Sequence, residues 1–107
     1  MGETLSELDW QRARNCLAAC CRRRNVLARG VGQWHLREDR EGFVISEYDA
    51  ARRRQQPVLK LRFEHGRWLL SVPVAGGWSA YPPRPEAEAI ETVVGELEQA
   101  PLHVHWE

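Results

Sequence analysis

No apolar run in this chain is long enough to cross a bilayer or to serve as a secretory leader. A membrane-spanning helix is therefore not expected, and the cytoplasm is the default compartment. Cysteine is scarce: Cys16, Cys20 and Cys21 fall in one short segment, an odd number too close together for a disulfide framework, so reduced thiols are expected. Also lacking are a CxxC pair, a phosphate-cradling glycine loop, a serine elbow, an HExxH helix and an evident Cys-His couple. No enzyme and no cofactor are expected. Lysine is nearly absent, Lys60 being the single one among 15 basic residues, and neither sign of charge is in excess, the formal net charge being zero. A nucleic-acid binder of this size usually carries a positive surplus.

The charge that is present is unevenly placed. Trp10 to Arg37 holds Arg12, Arg14, Arg22, Arg23, Arg24, Arg29 and Arg37 with no acid, whereas the chain from Glu86 onward has glutamates and no Lys or Arg. With 107 residues, 43% of them apolar and five tryptophans, the chain suits one folded domain, 1–107, with little core to spare.

The most legible stretch is Pro57 to Pro83. Leu59, Leu61 and Phe63 alternate with Lys60, Arg62 and Glu64, a period of two that sends each set to its own face of a strand. Gly66 supplies a positive φ for a tight turn, and Trp68, Leu70 and Val72 then alternate with Arg67, Leu69 and Ser71 to complete a hairpin. Pro73 ends this second strand or puts it on an open edge, Ala75-Gly76-Gly77 turns the chain into Trp78 to Tyr81, and Pro82-Pro83 stops pairing.

Upstream, Thr4 with Glu7 and Ser6 with Asp9 have the capping-box spacing that opens a helix. Trp10, Ala13, Leu17, Cys20 and Cys21 make its apolar stripe, Arg22 to Arg24 its last turn and Asn25 its stop. Gln33 to Glu38 and Phe43 to Tyr48 read as strands, and Asp49 to Gln56 as a polar loop. Downstream, Pro85, Glu86 and Glu88 suit a helix N-terminus, with Ile90, Val93, Val94 and Leu97 as the buried stripe and Pro101 as the end. Leu102, Val104 and Trp106 suggest a short last strand. The expected class is α+β: about five antiparallel strands roofed by an N-terminal and a C-terminal helix.

Several short patterns occur in a telling order: Cys20 to Arg24, Pro57-Val58-x-Lys60, a strand bearing Trp68, Trp78-x-x-Tyr81-x-Pro83-x-Pro85-Glu86, an acidic helix and an aromatic tail at Trp106. In these the chain resembles a family of roughly hundred-residue bacterial domains of unknown function. It departs from that family at Ser71, Val72 and Pro73, where aromatic or basic residues are usual. The resemblance implies a fold and no activity.

The candidate binding residues are arginines and tryptophans. Arg22, Arg23 and Arg24, with Arg52, Arg53 and Arg54, could track a phosphate backbone, or could equally pair with glutamates of the C-terminal helix. Trp34, Trp68 and Trp78 are expected to include core members, leaving Trp10 and Trp106 near the ends as surplus aromatic surface of the kind that protein interfaces use. A protein partner or a second copy is the leading expectation, with nucleic acid as the alternative. His103 and His105 point to one side of a strand and are metal candidates only if Cys or His elsewhere completes a site; a polar strand face is the plainer reading. Cys16 and Cys20 lie one helical turn apart beside Arg23 and Arg24, which could activate a thiol, although buried cysteine is commoner. Glu47 and Asp49 are a conceivable carboxylate couple, more often found merely facing solvent.

Overall fold

The computed structural model describes residues 5–28 and 32–99. Its elements run α1 (Glu7–Ala28), β1 (Gln33–Glu38), β2 (Gly42–Asp49), β3 (Arg54–Glu64), β4 (Arg67–Val74), β5 (Gly77–Ala80), β6 (Glu86–Ala87) and α2 (Ile90–Gln99). The strands form one antiparallel sheet in the order β1-β2-β3-β4-β5, and β6 joins the edge of β4 that β5 also uses. The α+β class, with a helix at each end of the chain, is as the sequence implies.

Local chemistry sets the turns. At the β3–β4 turn both His65 (φ 54°) and Gly66 (φ 76°) are left-handed, as a two-residue hairpin of the primed type requires. Between β1 and β2, Asp39 Oδ1 accepts the N–H groups of Glu41 and Gly42 at 2.9 Å each, and Asp49 Oδ1 holds the β2–β3 turn through Ala51 and Arg52. At the start of α1, Ser6 Oγ accepts the Asp9 N–H at 3.1 Å, so Ser6 is the cap.

Four boundaries differ from the sequence reading. The α1 helix continues through Asn25 to Ala28, because the Asn25 side chain is committed to β1 instead of terminating its own helix. The expected polar loop before Pro57 is strand from Arg54 onward, its residues pairing with Ser46 to Asp49 across a bulge at which the partner of Ser46 is Pro57 and that of Ile45 is Leu59. A bulge tolerates a residue with no N–H. Likewise β4 runs through Pro73 to Val74, since the ladder with β3 already ends at Ser71 and the proline breaks none of its bonds. Finally, Glu86 and Ala87 are not helical: the edge of β4 needs partners, Leu70 N–H donates to Pro85 O at 2.9 Å, and Trp68 and Leu69 pair with Ala87 and Glu86. The expected last strand of Leu102, Val104 and Trp106 lies outside the described residues.

The core lies on one side of the sheet, although Val44, 5% exposed, is buried on the other. Ala13, Leu17, Cys20 and Cys21 of α1 and Ile90, Val93 and Leu97 of α2 share a core with Trp34, Phe43, Ile45, Leu59, Leu61, Trp68 and Leu70. The two helices are tied to each other by Arg12–Glu91 and Arg23–Glu98 ion pairs. The opposite face is covered by no described element.

Candidate binding face

Alternation along each strand decides which side chains occupy the open face. In register across the sheet these are His35 and Arg37 of β1, Val44, Ser46 and Tyr48 of β2, Pro57, Lys60 and Arg62 of β3, Leu69, Ser71 and Pro73 of β4, and Trp78 of β5. Trp78 is 38% exposed and Tyr48 37%, against 2% for Trp34 and 3% for Trp68. The sheet curls so that residues of β1 and β5, its opposite edges, line one open trough of about 520 Å³, with His35, Arg37 and Val44 at one side and Trp78 at the other. A smaller hollow of about 230 Å³ lies on the other side of Trp78, among Lys60, Arg62, Leu69 and Ser71. Lys60 Nζ stands 5.6 Å from the Trp78 ring centroid, within cation–π range.

The charge on this face is positive: Arg37, Lys60, Arg62 and Arg67 outnumber Glu64 and Glu86. Arg62 pairs with Glu64 and Arg67 with Glu86, which leaves Arg37 and Lys60 without an ion pair to any described residue.

The arginine clusters meet different fates. On the helix side, Arg12 pairs with Glu91 and Arg23 with Glu98, the pairing with the C-terminal helix that the sequence allowed, and Arg14 pairs with Glu38. Arg24 donates to Gly32 O, lies 4.5 Å from the Trp34 ring centroid and approaches Glu47 at 3.8 Å. Of that triplet only Arg22 is unpaired among the described residues. Arg52 is held by Asp49, whereas Arg53 and Arg54, at the β2–β3 turn beside Tyr48, have no ion pair to a described residue.

The tryptophans also sort differently from expectation. Trp10, offered as surplus surface, stacks on Phe43 with ring centroids 4.8 Å apart and donates its indole N–H to Glu38 at 3.1 Å. Among the described tryptophans the exposed indole is Trp78, one of the three expected to include core members; β5 is a short edge strand exposed along its whole length. Trp106, His103, His105 and Arg29 lie outside the described residues. Period two did carry a signal for this face: assigning Leu59 and Leu61 inward leaves Lys60 and Arg62 outward. What it lacked was the register that sets Trp78 beside Lys60.

The chemistry looked for elsewhere is engaged in the fold. Glu47 accepts the Trp34 indole N–H at 3.2 Å, and Asp49 is a turn cap, so the carboxylates hold separate posts. Burial pushes the Cys20 thiol up to about 11 and the Cys21 thiol up to about 12, away from thiolate chemistry despite the neighbouring arginines. Burial, with its hydrogen bond to Glu96, likewise raises Tyr81 to about 12. Among the described residues, no three His, Cys, Asp or Glu side chains gather as metal ligands. No described helix is long and apolar enough to cross a membrane.

Fold and surface together define a small α+β domain whose sheet is roofed by two helices on one side and, among the described residues, left open on the other. The chain belongs to the family described as Domain of unknown function (DUF3024), whose profile matches residues 5–107. No curated protein and no solved structure matches it.

Proposed function

We propose that this domain is a non-enzymatic module that binds a macromolecule through the uncovered face of its sheet, with Arg53 and Arg54 at the rim. The observation that carries the reading is Trp78: a large indole, 38% exposed on the wall of a concave trough and flanked by Lys60, in a small domain whose other two sheet tryptophans are buried. Exposed aromatic surface ringed by cations is where small domains make contacts. The helix side offers less, because Arg12, Arg14, Arg23, Arg24 and Trp10 are already spent on intramolecular partners. Reduced Cys16, Cys20 and Cys21 support work in the cytoplasm.

Covalent footprinting of the domain in its host cells, set against the purified protein, tests this. His35, Tyr48, Lys60 and Trp78 are expected to lose reactivity in cells, while His65, at the exposed β3–β4 turn, is labelled equally in both. Equal labelling of the face in both settings overturns the reading.

A further inference from the structure

Resting on that assignment of the open face, we infer that its occupant is a single-stranded nucleic acid, with a base stacked on Trp78 and the backbone following Arg37 and Lys60. Three observations point there. First, the free charge of the face is cationic although the whole chain is neutral, so a polyanion is the complementary ligand. Second, Lys60 occupies the middle of the face, on the central strand between Val44 and Ser71. Protein interfaces are depleted of lysine in their cores, whereas a groove that tracks phosphates places cations there. Third, Trp78 separates two hollows, one of about 520 Å³ and one of about 230 Å³, and is itself exposed, as a stacking platform between successive nucleotides must be. A duplex keeps its base faces stacked on each other and presents none to an indole; a single strand presents one per nucleotide. Tyr48, at the end of the face beside the β2–β3 turn, gives a second aromatic surface.

The experiment is fluorescence anisotropy of labelled 12-nucleotide single-stranded RNA and DNA of mixed sequence, with the matching DNA duplex, titrated with the full chain across a salt series. Single strands are expected to bind more tightly than the duplex, with log K falling on log salt by about 0.7 for each phosphate neutralised. Trp78→Ala should weaken single-strand binding roughly tenfold, as loss of one stacking platform does, while Trp78→Phe retains most of it. Lys60→Gln should weaken binding and flatten the salt slope; Arg23→Ala, on the helix side, should change neither. The Trp78 and Lys60 side chains lie outside the core, and near-ultraviolet circular dichroism reports whether each variant keeps the native packing. Absence of binding at low salt, equal affinity for the duplex, or indifference to Trp78→Ala overturns the inference. If cellular footprinting protects the face while no oligonucleotide binds, the occupant is a protein or a second copy: the open-face reading stands and this one falls.

Discussion

The side-chain amide of Asn25 bonds the main chain of Trp34 in both directions: Oδ1 accepts the Trp34 N–H at 2.7 Å and Nδ2 donates to the Trp34 carbonyl at 2.9 Å. A helix side chain thus stands where a neighbouring strand would, satisfying both backbone groups of a residue on the edge of the sheet.

Asn25→Ala removes both bonds and leaves those groups partly buried without partners. A loss of about 1–3 kcal/mol is expected from the unsatisfied pair. Urea denaturation should show a lower midpoint with an unchanged slope. Asn25→Asp, which keeps the acceptor and loses the donor, should fall between the two.

Gly42 is needed for space. A Cβ there would come 1.8 Å from the Leu61 carbonyl oxygen across the ladder. Backbone cannot retreat as a flexible side chain can, so Gly42→Ala should cost about 1–3 kcal/mol, seen as a lowered melting temperature. Gly95→Ala makes the opposite test, since a Cβ there meets nothing within 4 Å and the helix propensity gain is about 1 kcal/mol in favour of alanine.

Alkaline pH should weaken the fold. Cys20 and Cys21 are raised from 9.0 to about 11 and about 12, and Tyr81 from 10.0 to about 12. In each case the folded state holds its proton after the unfolded chain has lost it. This stabilisation is whole below pH 9.0 and is lost as pH climbs from there toward 12. Urea midpoints from pH 8 upward should be level at first and then decline. At neutral pH, Cys20 and Cys21 should resist alkylation in the native protein and react once it is unfolded; prompt modification of either while folded would contradict this burial.

Tyr81→Phe deletes the phenol that donates to Glu96 Oε2 at 3.0 Å beneath α2. About 1 kcal/mol of stability should go with it. Trp78→Phe, by contrast, should leave stability within about 0.5 kcal/mol of the parent while removing a quencher-accessible part of the tryptophan emission.

Much of the inner architecture was legible in the chain because burial writes a period. The stripe of Ala13, Leu17, Cys20 and Cys21 and the alternations of Leu59 with Leu61 and of Trp68 with Leu70 all reached the core as expected. Boundaries were less legible where a distant partner decided them. Nothing near Asn25 announces that its amide serves Trp34, and nothing near Glu86 announces that the free edge of β4 outcompetes a helix for it.

By itself the sequence determined the order of α1, the five long strands and α2, the α+β class and the inward side of β3 and β4, since periodicity and turn chemistry act over a few residues. Only the tertiary structure decided how the arginines and tryptophans are used. Arg23 met Glu98 and Trp10 met Phe43 through contacts spanning much of the chain, whereas Trp78 came to Lys60 on a face where no described element covers it. Ion pairing and burial depend on which groups the fold brings within a few ångströms, and local pattern does not carry that information.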